Sequence, residues 1–182
     1  MIIFDRLEDI TIGGRTAVAL GNFDGLHIGH QVVMEDAVST ARALGLRSLC
    51  FTFSNHPFNF ILGRDDDDED AVKLICTEEE KISLVERMGF DILVNIPFDE
   101  TIMKMRADDF FRDIICGYLS AGYLSVGFNY TYGARAEGTP DKLIRSCEEA
   151  GIGVCIHDAV TYDGKVVSST LIRDAISAGN ME

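Results

Sequence analysis

Short runs of apolar and β-branched residues alternate along this chain with stretches of helical periodicity, and that alternation narrows the fold more than any other feature. The runs TAVAL (16–20), RSLCFTF (47–53), DILVNI (91–96), YLSVG (123–127) and IGVCI (152–156) are almost continuously apolar. Strands of that kind are covered on both faces, as in a parallel sheet. Between them, GHQVVMEDAVSTARAL (29–44), TEEEKISLVERM (77–88), ADDFFRDIICGYL (107–119) and PDKLIRSCEEA (140–150) carry helical spacing. Thr77 with Glu80 reads as a capping box, Pro140 opens its helix where a missing N–H matters little, and Gly45, Gly89 and Gly151 follow helices as C-terminal caps do. The repeated β-α order predicts an α/β fold, a Rossmann-like doubly wound parallel sheet of about five strands with helices on both faces and right-handed crossovers. No repeat or linker interrupts the 182 residues, so a single domain over 1–182 is expected.

Charge excludes one class of function. Sixteen Lys and Arg stand against thirty Asp and Glu, a formal net charge of −14, whereas a nucleic-acid contact face needs clustered basic residues. No nucleic acid is expected as a partner, and no apolar run reaches the roughly 20 residues that span a bilayer. The N-terminal MIIFDRLEDI carries acids where a signal peptide carries a basic stretch. Five scattered cysteines without a CxxC pair fit a reducing compartment, so a cytoplasmic protein is expected, with Cys50 and Cys155 as small core residues in strands. The acidic run DDDDED (65–70) reads as a solvated loop, since a flexible row of carboxylates lacks the fixed geometry that Mg²⁺ demands.

Against this acidic background, GNFDGLHIGH (21–30) stands out. The strand ending at Leu20 turns through Gly21, Gly25 and Gly29 into the first helix, with His27 and His30 at its entry. In doubly wound sheets ligands bind beyond the carboxyl ends of the strands, where a helix N-terminus offers unpaired N–H groups and the positive end of its dipole. Glycine permits positive φ and close approach of backbone to an anion. Each imidazole can be cationic when an anion sits nearby, because a neighbouring negative charge favours the protonated form. Either histidine alone reads as a helix cap or a packing residue, and a zinc pair lacks a third ligand. Together, in a strand–glycine turn–helix context, the pair reads as a phosphate site.

The segment resembles the HxGH signature of the nucleotidyltransferase superfamily. FTFSNHP (51–57), TEEEKISLVERMGFDILVNIPFDE (77–100), VGFNYTYGARAEGT (126–139) and VSSTLIR (167–173) narrow the resemblance. In order and over nearly the whole chain, they are similar to the FMN adenylyltransferase domain of the prokaryotic FAD synthetase family, the bifunctional riboflavin kinase/FMN adenylyltransferases.

That resemblance implies FMN + ATP → FAD + pyrophosphate with Mg²⁺. It casts His27, His30 and Arg173 as catalytic residues holding the ATP phosphates. Gly21, Asn22, Phe23, Asp24, Gly29, Ser168, Ser169 and Thr170 complete the ATP site, and backbone N–H groups around Gly21, Asn22 and Phe23 form the cradle. His56, Pro57, Asn129 and Tyr130 fall on the FMN side, Asn129 also as a metal ligand, and Phe58 and Phe60 offer aromatic faces to a flavin. The loop FNFILGRDDDDEDAVK departs from the family's usual prolines and basic residues. A C-terminal riboflavin kinase domain is expected to be absent from these residues, with the kinase elsewhere in a longer protein or on a separate chain. Two alternatives share the phosphate cradle: another nucleotidyltransferase with a different phosphorylated acceptor, and a non-catalytic flavin- or nucleotide-binding module.

Overall fold

Alternation along each strand sorts its side chains onto two faces, and both faces are covered. A computed structural model describes residues 1–65 and 67–179 of the chain. Its strands are β1 (Ile2–Phe4), β2 (Thr16–Leu20), β3 (Arg47–Phe53), β4 (Ile92–Ile96), β5 (Ala121–Gly127) and β6 (Gly153–His157), with a small hairpin of β7 (Thr161–Tyr162) and β8 (Lys165–Val166). The first six form one parallel sheet in the order β1-β4-β3-β2-β5-β6.

The helices are α1 (Ile28–Leu44), α2 (Pro57–Leu62), α3 (Glu78–Arg87), α4 (Glu100–Lys104), α5 (Ala107–Asp109), α6 (Pro140–Ala150) and α7 (Ser169–Ser177). Ala19, Cys50 and Leu93 meet Val33, Met34, Ala37 and Val38 of α1 and Val85 of α3 on one face. Val18, Leu20, Leu49, Phe51, Ile92, Val94 and Leu124 meet Phe110, Ile114, Ile115 and Leu143 on the other.

Three expectations are corrected. The sheet has six strands rather than five: β1 is a three-residue, largely exposed edge strand, too short to show a period, and it pairs only with β4. The helix expected over 107–119 is α-helical only through α5, then continues as a π-helix over Phe110–Tyr118. Bonding from i to i+5 brings residues four and five apart to one side, so Phe110, Ile114, Ile115 and Leu119 all enter the core. Cys50 is fully buried as expected, but Cys155 is only half-buried and has polar neighbours. The capping box at Thr77, Pro140 at the start of α6 and the left-handed caps at Gly45 and Gly151 are all present. The described residues of the 65–70 run are exposed, and Asp66 lies outside the described residues.

Chain order explains where a ligand can sit. From β2 the chain winds outward through β3 and β4, then returns with β5 and β6 on the opposite side of β2. The crevice beyond the carboxyl ends of β2 and β5 is therefore the topological switch point. The β5–α6 connection seals one side of it by docking Gly133 against the start of α5.

Gly133 has φ 75° and ψ 170°, a conformation nearly restricted to glycine, and a Cβ there would come within 2.5 Å of the Ala107 backbone nitrogen. Gly133→Ala should destabilise the protein by about 1–3 kcal/mol from backbone strain alone, read as a lowered midpoint in chemical denaturation. An unchanged midpoint would show that this connection is free to move away from α5.

Candidate functional site

A cavity of about 1160 Å³ opens at the switch point, and every candidate residue named from the sequence lines it except Phe58 and Phe60. The first loop, the His56-Pro57 step after β3, the Asn129-Tyr130 turn after β5 and the start of α7 are separated by up to 150 residues of chain. The parallel sheet places the loops after β2, β3 and β5 on one side, and the start of α7 joins them after the β7–β8 hairpin.

Two helix N-termini open onto this space. His27 is the N-cap of α1: its Nδ1 accepts a hydrogen bond from the His30 backbone N–H at 3.2 Å. That bond determines the neutral tautomer, because an Nδ1 that accepts leaves the proton on Nε2. The Gln31 N–H donates to the His27 carbonyl at 3.0 Å, so the first-turn N–H groups of Ile28 and Gly29 remain for a ligand. A Cβ at Gly29 would come within 3.2 Å of the His27 ring, so glycine lets the imidazole lie across the helix entrance. Ser168 caps α7 in the same way, accepting from the Leu171 N–H at 3.2 Å. These residues are therefore caps, and capping is compatible with an anion site, since a capped N-terminus still presents unpaired N–H groups.

His30 lies within α1 and stacks on His27, ring centroids 3.6 Å apart, while Phe23 meets its ring edge-on. Its Nδ1 is buried without a hydrogen-bond partner. Burial, with the neighbouring His27 ring and Lys81, pushes the His30 imidazole down to about 3. Burial also lowers His27, although its backbone hydrogen bond and Asp24 oppose the shift. Without an anion beside them, desolvation outweighs the available charge and holds both rings toward the neutral form.

Arg173 reaches the cavity, but its guanidinium is already held. Its Nη2 donates to Asp24 Oδ2 at 2.5 Å and its Nε to the Lys73 carbonyl at 2.8 Å. Asp24, 3% exposed, also accepts from the Ile75 N–H through Oδ1 at 2.9 Å, and its carbonyl accepts from Ser169 Oγ at 3.0 Å. Both carboxylate oxygens are thus engaged within the protein. Of the expected cradle donors, the Gly21 N–H is also spent, on the Phe51 carbonyl at 3.3 Å, which leaves those of Asn22 and Phe23.

On the other side, His56 caps α2, with Nδ1 accepting from the Phe58 N–H at 3.3 Å, and Pro57 is the first helical residue. Burial, then the Arg173 charge, lowers His56 as well. Asn129 is exposed in the turn after β5, and Tyr130 stacks on Tyr132 at 5.9 Å. Phe58 and Phe60 do not line the cavity; Phe53, Phe98, Phe128 and Ile61 supply its apolar wall instead.

Sequence reasoning missed Lys81, which is 4% exposed and donates from Nζ to the Phe53 carbonyl at 2.9 Å. In TEEEKISLVERM it looks like a surface cation. The available signal was its i, i+4 relation to Val85, which puts it on the buried stripe of α3. Thr52, whose hydroxyl donates to the Asn22 carbonyl at 2.8 Å, and His157, on the cavity wall, were also missed.

The description FAD synthetase belongs to the family whose model matches residues 10–171. A bifunctional riboflavin kinase/FMN adenylyltransferase from Bacillus subtilis (strain 168) is 34% identical over 172 residues, 92% of this chain and 51% of that protein. One of the same name from Haemophilus influenzae is 26% identical over 166 residues, 91% of this chain and 52% of its own. The chain thus spans about half the length of these relatives. Among solved structures, a Streptococcus pneumoniae protein described as a macrolide-efflux protein superposes with a TM-score of 0.85 at 28% identity, over 98% of this chain and 56% of its own. Pantoate-beta-alanine ligase from Francisella tularensis shares the fold, with a TM-score of 0.61 at 13% identity over 99% of this chain and 77% of its own.

The depressed His30 value has a consequence for acid stability. Below its ordinary 6.5 the unfolded chain binds a proton at this histidine that the folded protein refuses until about 3. Stability should fall as pH drops through that window, and His30→Gln should flatten the slope there, as followed by urea unfolding at stepped pH. Parallel slopes for the two proteins would show that His30 protonates freely in the folded state.

Proposed function

Because the chain belongs to the FAD synthetase family, we propose that it transfers AMP from ATP to the phosphate of FMN, forming FAD and releasing pyrophosphate. The observation that carries this reading is the convergence of the His27-capped start of α1, the start of α7 and the His56 and Asn129 loops on one cavity. At about 1160 Å³ that cavity exceeds the 300–1,000 Å³ of an ordinary single-ligand pocket and suits two nucleotide-sized substrates.

The FMN phosphate is already an anion at neutral pH, so the attack needs no general base. Its oxygen forms a bond to the α-phosphorus of ATP in line with the bond to the β-phosphate, which breaks as pyrophosphate leaves. What the protein must supply is alignment of two anions and stabilisation of charge on the departing group. His27 Nε2–H, the His30 ring and the N–H groups of Ile28 and Gly29 do this at the positive end of α1. Ser168, Ser169 and Thr170 close the ATP side, and Arg173 acts chiefly by holding Asp24 and hence the first loop in place. His56, Pro57, Asn129 and Tyr130 form the FMN side, against the apolar wall of Phe53, Phe98 and Phe128.

Mg²⁺ keeps several waters and takes few protein ligands beside substrate phosphates. The exposed Asn129 carboxamide on the cavity wall is an oxygen donor that fits such an ion. Bound there, Mg²⁺ would neutralise triphosphate charge. A cytoplasmic setting is supported by five free cysteines, and among the described residues no helix is long and apolar enough to cross a membrane. A riboflavin kinase domain, on a longer chain or a separate one, is the partner this reading implies. We assign no kinase step to residues 1–182.

The assay is incubation with MgATP and, separately, FMN, phosphopantetheine, glycerol 3-phosphate and nicotinamide mononucleotide, with pyrophosphate and product both measured. FMN should yield FAD, and riboflavin, which lacks the phosphate nucleophile, should yield none. His27→Ala removes one preorganised donor and should lower single-turnover FAD formation about a hundredfold or more. Pyrophosphate release with another acceptor but not FMN, or full activity in His27→Ala, would overturn the reading.

A further inference from the structure

Next to the nucleotide cavity, on the far side of β6, lies a cluster that the adenylyl-transfer reading does not use. Register pairs Tyr123 with Gly153, Ser125 with Cys155 and Gly127 with His157, so these side chains share one face of the sheet, under α1. Asp36 comes down from α1 to meet them. The Asp36 carboxylate, the Cys155 thiol and a His157 ring nitrogen lie within 4.8 Å of one another, and all three residues are half-buried.

The hydrogen bonds rule out a hydrolytic triad. Ser125 Oγ at 2.9 Å and Asp36 Oδ2 at 3.2 Å both meet the same nitrogen, Nε2 of His157. A triad requires the hydroxyl and the carboxylate on opposite nitrogens of the ring. Ser125 is further committed to the Val33 carbonyl at 2.8 Å. What remains is one carboxylate, one thiol and one imidazole converging on a point.

We propose that Asp36, Cys155 and His157 form a binding site for a borderline divalent transition-metal ion of the Zn²⁺ class, with water completing a tetrahedron. Three observations support it. Cys155 and His157 stand two apart on one strand, so both point the same way, and Asp36 closes the third corner from a different element. For metal–ligand bonds of about 2.0–2.3 Å, the edge of a tetrahedron is about 3.3–3.7 Å. The present 3.2 Å between His157 Nε2 and Asp36 Oδ2 is already close to that edge.

The outer groups are also in place. Tyr123 donates its hydroxyl to Asp36 Oδ2 at 2.9 Å, orienting the carboxylate as outer partners of metal ligands do. Gly153 makes room for that tyrosine, since a Cβ there would come within 2.8 Å of its ring. The mixed N, S, O donor set favours Zn²⁺ over Mg²⁺, which avoids thiolate. Binding releases the thiol proton to solvent and moves the Nε2 proton of His157 to Nδ1, which leaves Nε2 as the ligand atom. The ion would pin α1 to the edge strand β6, and of its three ligands only His157 also lines the nucleotide cavity.

Titration of the metal-free protein with Co²⁺ tests this without any activity measurement, so its outcome is independent of the adenylyl-transfer reading. One equivalent should produce the visible bands of tetrahedral cobalt together with a thiolate-to-cobalt charge-transfer band, and Zn²⁺ but not excess Mg²⁺ should bleach both. Cys155→Ser and His157→Gln, checked for native circular dichroism, should lose the charge-transfer band, while Cys76→Ser keeps it. Tyr123→Phe, which retains all three ligands, should weaken binding about 10–100-fold. Absence of a charge-transfer band in the unaltered protein, or its persistence in Cys155→Ser, would overturn the proposal.

Discussion

The buried carboxylate of Asp24 is the interaction on which the site depends. One oxygen accepts from the Ile75 N–H and the other from Arg173, and the residue's own carbonyl accepts from Ser169. Three segments far apart in sequence, the first loop, residues 73–76 and α7, are thereby drawn around one anion centre. A buried carboxylate is stable only when its charge is answered and its lone pairs are filled, so removal of any partner leaves the loop without a defined shape. The loop also holds two non-glycine residues at positive φ, Phe23 at 42° and Leu26 at 38°, a conformation that persists only where surrounding contacts over-determine it.

That anchoring is compatible with the proposed anion site in an acidic protein. The formal net charge is −14, and Arg173 of the cavity wall is paired with Asp24. Positive potential comes from oriented N–H groups at the starts of α1 and α7 and from Lys81 beneath the cavity. In the proposed site the imidazoles would act as neutral donors: His27 is held in its Nε2–H form by its own capping bond, and burial lowers His30. Donors already in place at the start of the reaction need no reorganisation as charge moves onto the leaving group.

Much of this was legible in the residue order. The central strands, buried on both faces, showed as unbroken apolar runs, and β2 and β3 match their predicted bounds residue for residue. HIGH pointed to the loop that opens α1 onto the cavity, because a glycine turn between strand and helix has few other uses. The features that escaped depend on tertiary partners. β1 has three residues and no period to read, and PFNFIL of α2 is too apolar and too short to distinguish helix from strand. The anchoring role of Asp24 could not be read because its partners, Ile75 and Arg173, lie 51 and 149 residues away. Local sequence likewise shows the rings of His27 and His30 but not the burial that lowers them.

The central claim is that a neutral His27, with its proton on Nε2, donates to a nucleotide phosphate at the start of α1. Long-range ¹H–¹⁵N correlation of the histidine rings at neutral pH, without and with ATP and Mg²⁺, tests it directly. The account predicts an Nε2–H tautomer for His27 in the free protein, with Nδ1 in the acceptor range, and a hydrogen-bonded Nε2–H resonance that appears when nucleotide binds. An Nδ1–H tautomer, an imidazolium in the free protein, or a ring unmoved by saturating ATP would contradict it.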